Sequence, residues 1–113
     1  MDDTSLVYSM AEVFKALGDP TRLKLLGLLA NRNSESFCVI ELAEKLGMSQ
    51  PAISQHLKVL KNIKLLEPHR KGFYVYYSIN LDTLNMIKQN VGYLFDLAFQ
   101  ECSDEAWLRK KPE

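Results

Sequence analysis

The chain has 113 residues, a length that accommodates one compact domain and excludes the paired domains of most cofactor enzymes. Apolar residues make up 47% and charged residues 25% of the sequence, which disfavours a disordered or fibrous chain. The 14 basic and 14 acidic side chains give a formal net charge of zero. Taken as a whole, this balance argues against a nucleic-acid-binding protein, because such proteins usually carry a basic excess.

The charges are, however, unevenly distributed along the chain. Residues 1–48 carry five basic and seven acidic side chains, and residues 72–113 carry four and six, so each of these segments has a net charge of −2. Residues 49–71 carry five basic side chains and one acidic side chain, a net charge of +4. This short segment is therefore the predicted site of any electrostatic attraction to a negatively charged partner.

The sequence lacks the motifs that several functional classes require. Residues 1–9 contain two aspartates and no basic run before an apolar core, so no secretory signal is predicted, and no apolar stretch is long enough to span a membrane. We therefore expect a cytoplasmic protein without a membrane partner. The sequence contains no P-loop, dinucleotide-binding, nucleophile-elbow or HExxH motif. Neither His56 nor His69 has a metal ligand at a suitable local spacing, and an enzyme is not expected.

Three helices are predicted in the first half of the chain. Apolar residues at spacings of three and four predict a helix over residues 6–17. Asp19 is predicted to cap, and Pro20 to begin, a second helix whose five leucines indicate deep burial. A third, short helix is predicted over about residues 39–46.

The fourth predicted helix has two different faces. Ser49 is its predicted N-cap, and Pro51 fits the first turn, where no amide hydrogen bond is needed. The apolar residues Ile53, Leu57 and Leu60 lie on one stripe. The opposite face is first polar and then basic, and consists of Gln50, Ser54, Gln55, Lys58, Lys61 and Asn62.

A hairpin and a long helix complete the predicted fold. Residues 65–69 and 73–79 predict two strands, joined by a basic tip of Arg70, Lys71 and Gly72. Residues 81 to about 98 predict a helix with an apolar seam that can pack against a partner helix. The seam consists of Leu84, Ile87, Val91, Leu94 and Ala98. The predicted fold is mainly α with a small β-hairpin (α+β), in the order ααααββα.

A helix, a turn, a second helix and a basic hairpin in this order are typical of a winged helix-turn-helix protein that binds DNA. Gln50, Ser54 and Gln55 are predicted to hydrogen-bond base edges in the major groove. Lys58 and Lys61 are predicted to contact phosphates, and the tip of the hairpin to reach the neighbouring backbone or minor groove.

Two alternatives to DNA binding stay open at this point. The polar face can be an ordinary solvated helix surface, or the domain can bind another protein and never contact DNA. Solvated helices usually pair Glu with Lys, whereas residues 49–66 contain no acidic side chain. The sequence therefore favours DNA binding.

Four segments carry a resemblance to a known family: FKALGDPTRLKLL at 14–26, CVIELA at 38–43, GMSQPAISQHL at 47–57 and GFYVYY at 72–77. Together they closely resemble the ArsR/SmtB family of bacterial and archaeal metal- and thiol-responsive repressors. The resemblance implies a homodimer joined through its first and last helices, which binds an inverted-repeat operator and is released by an inducer. The residues that match the family's DNA-binding surface are Ser49, Gln50, Pro51, Ser54, Gln55, Lys58, Arg70 and Lys71.

The predicted domain of residues 1–113 has three parts under this resemblance. Residues of about 5–80 form the core with its wing, residues 81–101 form the dimerisation helix, and residues 102–113 form a flexible tail. The family's zinc site on the last helix needs two aspartate or glutamate and two histidine ligands. The aligned positions are Leu81, Thr83, Leu94 and Leu97, or, shifted by one residue, Asp82, Leu84, Phe95 and Ala98. No metal site is therefore predicted there.

The two cysteines leave three hypotheses open. The family's Cys-Val-Cys thiolate motif is replaced here by Cys38, Val39 and Ile40, so one thiol is missing. Cys38 and Cys102 can be packing residues without a sensor function, or a thiol pair that responds to an oxidant. They can also belong to a metalloid site that uses both cysteines or is shared across a dimer. No cofactor is expected.

Overall fold

A computed structural model describes residues 3–31 and 37–103, with side chains described for residues 4–31 and 37–100. In this part of the chain the helices are α1 (Asp3–Leu17), α2 (Pro20–Leu29), α3 (Val39–Leu46), α4 (Gln50–Asn62) and α5 (Leu81–Ser103). The strands are β1 (Phe37–Cys38), β2 (Leu66–Lys71) and β3 (Tyr74–Ile79). They form an antiparallel sheet in the order β1-β3-β2.

The α+β winged helix-turn-helix fold is confirmed, but the predicted order ααααββα lacks one strand. Phe37 pairs with Tyr77 and Cys38 pairs with Tyr76, so the observed order is ααβααββα. A strand of two residues is too short to show an alternating pattern, and its pairing depends on a strand much later in the chain.

The predicted start of α2 is confirmed, but the start of α1 and the burial of α2 differ from the prediction. α1 begins at Asp3 rather than at residue 6. The backbone N–H of Thr21 donates to Asp19 Oδ1 at 3.3 Å, which confirms the predicted cap of α2. The prediction that α2 is deeply buried is only partly correct, since Leu25 is fully buried but Leu23 is 55% exposed. Five leucines in ten residues are spread around the helix, and only one side of a helix can face the core.

The hydrophobic core lies around α4. Ile53, Leu57 and Leu60 are fully buried, as the apolar stripe predicts. They pack in one cluster with side chains from α1, α2, α3, β2 and α5, and the cluster also contains the turn between α4 and β2. Its other buried members are Val13, Leu25, Leu42, Ala43, Leu65, Leu66 and Ile87. No helix in the part of the chain that the structure describes is long and apolar enough to cross a membrane.

Two left-handed residues end the helices of the helix-turn-helix unit. Gly47, with φ 63° and ψ 35°, ends α3, and the N–H of Met48 donates to the carbonyl of Ala43 at 3.0 Å. Lys64, with φ 63°, follows α4, and the N–H of Leu65 donates to the carbonyl of Leu60 at 3.1 Å. Glycine adopts this backbone conformation without strain, whereas in lysine the Cβ atom comes too close to the following carbonyl oxygen.

Replacing Lys64 by glycine is therefore expected to raise the free energy of unfolding by about 1 kcal/mol. Lys64→Ala is the matched control, because it removes the same side chain and keeps the Cβ atom. Chemical denaturation of both variants measures the difference, and equal stabilities for the glycine and alanine variants would contradict the assignment of strain to Lys64.

Candidate nucleic-acid interface

The helix-turn-helix unit consists of α3, the turn at Gly47 to Ser49, and α4. Ser49 is the N-cap of α4, since its Oγ accepts from the N–H of Ala52 at 3.2 Å, as predicted. The hydroxyl can still donate its own hydrogen outward, because capping uses only a lone pair of the oxygen. Pro51 lies in the first turn of α4, as its missing N–H allows.

The burial of one stripe of α4 places the opposite stripe in solvent. Ser54, Gln55, Lys58 and Lys61 are exposed, and so are Ser49, Gln50 and Pro51 at the start of the helix. The exposed surface therefore begins with short hydrogen-bonding side chains at the N-terminal end of α4 and continues with two lysines toward its C-terminal end. Hydrogen-bonding side chains suit base edges, and lysines suit phosphates.

His56 connects α4 to the beginning of α2. It is half-buried, and its Nδ1 lies 4.0 Å from Asp19 Oδ2. Asp19 also caps α2, while Thr21 Oγ1 lies 3.7 Å from the sulfur of Met48 in the turn. These contacts hold the N-terminus of α2 against the helix-turn-helix unit.

The hairpin is present, but its tip is not the one predicted. Arg70 pairs with Val75 and Lys71 pairs with Tyr74, so both basic residues lie in β2. The turn consists of Gly72 and Phe73. Gly72 has φ 63°. A two-residue hairpin turn needs a positive φ at its first position, and glycine adopts this angle most easily.

Arg70 and Lys71 also differ in direction, because successive side chains of a strand point to opposite faces. Both are exposed. The ammonium of Lys71 lies 5.7 Å from the centre of the Tyr76 ring, which holds its side chain along one face of the hairpin. The prediction of a basic tip is therefore wrong in detail: the two charges border the turn from opposite faces and do not form it.

Phe73 is an exposed residue of the turn that the sequence does not single out. The predicted strand over residues 73–79 begins one residue too early, because Phe73 lies in the turn and its side chain is 100% exposed. A glycine and one further residue between two strand-like segments indicate a two-residue turn. Applied to Gly72 and Phe73, this rule assigns Phe73 to the turn.

Cys38 lies in β1, directly before α3, and only 7% of its surface is exposed. Cys102 lies in the last turn of α5, and its side chain is outside the part of the structure that is described. The predicted flexible tail, residues 102–113, falls outside the described residues from 104 onward. Within the described residues no group of three His, Cys, Asp or Glu side chains is placed to hold a metal ion. Burial of Cys38 favours the packing hypothesis over a reactive thiol.

The first turn of α3 is closed by Glu41. The N–H of Cys38 donates to Glu41 Oε1 at 3.1 Å. This hydrogen bond, with smaller contributions from the Cys38 side chain and the charge of Lys45, holds the pKa of Glu41 below its ordinary value of 4.5, although partial desolvation opposes the shift. The ionised carboxylate therefore stabilises the N-terminus of the first helix of the helix-turn-helix unit.

Sequence comparison assigns the family. Residues 19–67, from the cap of α2 into β2, match the family described as bacterial regulatory protein, arsR family. The transcriptional repressor SdpR of Bacillus subtilis is 43% identical over 75 residues, which cover 66% of this chain and 80% of SdpR. The chain belongs to the ArsR family. An uncharacterized HTH-type transcriptional regulator of Methanocaldococcus jannaschii is 42% identical over 77 residues, which cover 68% of this chain and 84% of that protein.

Solved structures agree with this assignment to the ArsR family. A homodimeric winged helix-turn-helix DNA-binding domain from Mycobacterium bovis matches with a TM-score of 0.65 and 29% identity, over 92% of each chain. The resemblance stated from the sequence is thus confirmed, and the chain is an ArsR-family transcriptional regulator.

Glu41→Gln tests the charge at the start of α3. The folded-state pKa of Glu41 lies below the unfolded value, so the carboxylate contributes stability above about pH 4.5 and loses it as the pH falls through the folded-state pKa. Glutamine keeps the hydrogen-bond acceptor and removes the charge. We expect the variant to be less stable than the parent at pH 7, with a difference that shrinks in more acidic solution.

Glu44→Gln is the control, since Glu44 is an exposed acid near the other end of the same helix. Urea denaturation at several pH values measures both variants. A difference between the parent and Glu41→Gln that does not change between pH 7 and pH 3 would contradict the prediction.

Proposed function

We propose that the chain is a homodimeric transcriptional repressor, without enzymatic activity, that binds an inverted-repeat operator in double-stranded DNA through α4 and the hairpin. It acts in the cytoplasm, where a bacterial or archaeal chromosome is found. The observation that carries the proposal is the two-sided nature of α4. One stripe is fully buried, and the opposite face is exposed, rich in hydrogen-bonding and basic side chains, and free of acids.

Each part of this surface has a distinct role in the proposal. Ser49, Gln50, Pro51, Ser54 and Gln55 form the end of α4 that enters the major groove and contacts base edges. The lysines further along α4, Lys58 and Lys61, contact phosphates and set the affinity for any sequence. Arg70 and Lys71 extend the basic surface from the two faces of the hairpin to the adjacent backbone.

The charge distribution supports DNA over a protein partner. Residues 49–71 carry a net charge of +4 within a chain of zero net charge. A protein interface is usually depleted of lysine and enriched in aromatic residues at its centre, whereas the exposed face of α4 has no aromatic side chain. Repression, rather than activation, is proposed because the relative SdpR is named a transcriptional repressor.

Dimerisation is supported by apolar side chains on α5 that the protomer leaves exposed. The predicted seam is only partly available, because Ile87 is buried in the protomer's own core and Val91 packs against that core. A second stripe, at positions 86, 90, 93 and 97, is more exposed, although position 90 is the half-exposed polar residue Asn90. Its apolar members are Met86 at 55%, Tyr93 at 52% and Leu97 at 46%.

A monomer rarely exposes several large apolar side chains on one side of a helix. On α1, Val7 is 56% and Phe14 is 47% exposed. The helices α1 and α5 contact each other within the protomer. The Mycobacterium bovis domain with the same fold is a homodimer. We therefore propose that α1 and α5 pair with the same helices of a second copy, as the resemblance implies.

The inducer stays a prediction. A thiol oxidant or a metalloid acting through Cys38 and Cys102 is the hypothesis that the sequence leaves open, and the burial of Cys38 gives it no support. A repressor that uses neither cysteine would bind DNA equally under reducing and oxidising conditions.

Gln55→Ala and Lys58→Ala separate base contacts from phosphate contacts. A duplex selected by the parent protein from a random library serves as the operator. Gln55→Ala is expected to lose about 1–3 kcal/mol of discrimination between this duplex and unrelated DNA. Lys58→Ala is expected to weaken binding to both, and to reduce the slope of log K against log salt by about two for a dimer that loses two lysines.

Fluorescence anisotropy over a range of salt concentrations measures both effects. Lys88→Ala on α5 is the control, since its exposed side chain lies outside the +4 segment and outside the exposed stripe of α5. If neither α4 variant differs from the parent, the proposed reading face is wrong. If the parent selects no duplex, a protein-binding winged helix replaces the proposed function.

Tyr93→Asp tests the dimer surface. A carboxylate at the centre of the exposed stripe would lose its hydration when two α5 helices pair, so the variant is expected to be a folded monomer. Light scattering after size-exclusion chromatography measures the mass. Asn85→Asp adds the same charge to an exposed position of α5 outside the stripe, and should stay dimeric. A dimeric Tyr93→Asp protein would contradict the proposal.

A further inference from the structure

Phe73 is a fully exposed aromatic ring at the turn of the hairpin, and the proposed contacts of α4, Arg70 and Lys71 give it no role. Its side chain is 100% exposed. It does not contribute to the core cluster, which includes only Tyr77 and Ile79 from β3. Full exposure of a phenyl ring in water is unfavourable by roughly 1.5–3 kcal/mol relative to burial, so a binding partner that covers it gains affinity.

The surroundings of the ring are cationic. Arg70 and Lys71 border the turn in β2, and the nearest acid in the hairpin sequence is Glu67. Glu67 lies at the base of the hairpin, where its carboxylate accepts from Asn80 Nδ2 at 3.0 Å. An exposed apolar ring between two cations complements a surface that is negative at its edges and apolar within.

The minor groove of DNA is such a surface. Phosphates line its two edges, and the sugars and base-pair edges form its walls and floor. The groove is only about 6 Å wide. The turn can bring the Phe73 ring to this groove because it is narrow and contains just Gly72 and Phe73. Apolar side chains that enter a minor groove can separate neighbouring base pairs and bend the duplex.

A protein partner fits the same feature poorly. A stable protein interface covers about 800 Å² on each partner, while the exposed apolar surface at this end of the hairpin consists of the Phe73 ring and the half-exposed Tyr74 ring. The strands beside it carry exposed charges at Arg70 and Lys71. A nucleic acid needs only the ring and the two cations.

We propose that Phe73 enters the minor groove of the operator and opens one base step there, and that it thereby selects deformable pyrimidine–purine steps at that position. This inference rests on the proposed function, since it requires that the chain bind DNA. Such steps are the most easily kinked in DNA, so they are opened at the lowest energetic cost. Phe73 is then a specificity-determining residue that forms no hydrogen bond to any base.

The experiment compares the parent, Phe73→Ala and Phe73→Leu on duplexes selected by each from the same random library. The parent is expected to enrich pyrimidine–purine steps at two symmetric positions outside the major-groove contacts, and Phe73→Ala to lose this enrichment. On the parent's duplex, Phe73→Ala is expected to bind about tenfold more weakly, from the loss of ring burial. Phe73→Leu keeps an apolar wedge and should retain the preference.

A direct readout comes from the DNA itself. A 2-aminopurine base placed at the enriched step becomes more fluorescent when it is unstacked. Its emission is expected to rise on binding of the parent and Phe73→Leu, and to stay unchanged with Phe73→Ala. Energy transfer between dyes at the duplex ends reports the bend in the same samples.

Phe73→Ala should fold normally, because the ring makes no core contact, and thermal unfolding verifies this. Equal step preference, affinity and 2-aminopurine emission for the parent and Phe73→Ala would overturn the inference and leave the proposed function intact. A parent protein that selects no duplex would overturn both. Loss of affinity without loss of step preference would also overturn it, since the ring would then contribute contact area only.

Discussion

The complete burial of Ile53, Leu57 and Leu60 is the constraint on which the functional surface depends. These side chains occupy one stripe of α4, and each contributes roughly 2 kcal/mol of hydrophobic stabilisation. Rotation of α4 about its axis would expose at least one of them. The direction in which Gln55 and Lys58 point is therefore determined by the core, although neither residue belongs to it. A surface fixed in this way is already in its binding geometry, which reduces the entropy lost on binding.

The chain reverses direction around α4 through residues with positive φ. Gly47 ends α3, Lys64 follows α4, and Gly72 begins the hairpin turn. Each completes a change of direction within one or two residues, so α3, α4 and the hairpin stay close together with no long loop between them. Glycine meets this requirement at two of the positions. At the third, lysine adopts a strained conformation, and the buried Leu65 immediately after it supplies packing that offsets the strain.

Most of the fold follows from local patterns in the sequence. The starts of α2 and α4 follow from Asp19 and Ser49, which are strong N-capping residues whose action depends only on their neighbours. The core of α4 was predicted because a stripe at spacings of three and four has one natural orientation. The exposure of the whole predicted reading face follows from the same pattern.

The features that the sequence did not predict depend on pairing between distant residues. β1 exists because Phe37 and Cys38 lie beside β3, and neither residue has a local pattern that predicts a strand. The prediction places Arg70 and Lys71 at the tip because they separate two aromatic and β-branched runs, whereas the register is set by the turn, where only Gly72 tolerates a positive φ. The apolar seam of α5 was correct in its spacing, but periodicity alone cannot distinguish the side that packs on its own core from the side left for a partner. Ile87 and Val91 belong to the first kind and Tyr93 to the second.

The zero net charge of the chain has a consequence for how the proposed dimer finds its operator. At physiological ionic strength the field of each charge is screened within about 8 Å, and at longer range the acidic segments cancel the +4 segment. A protomer far from DNA, or facing it with the wrong side, therefore gains little attraction. Attraction becomes strong only when α4 and the hairpin already face the groove. Once one protomer of a dimer has bound, the second is held near the duplex at a high effective concentration. Affinity then depends on whether the spacing of two DNA half-sites matches the spacing of the two α4 helices, so a neutral chain with a segregated basic surface favours specific over non-specific binding.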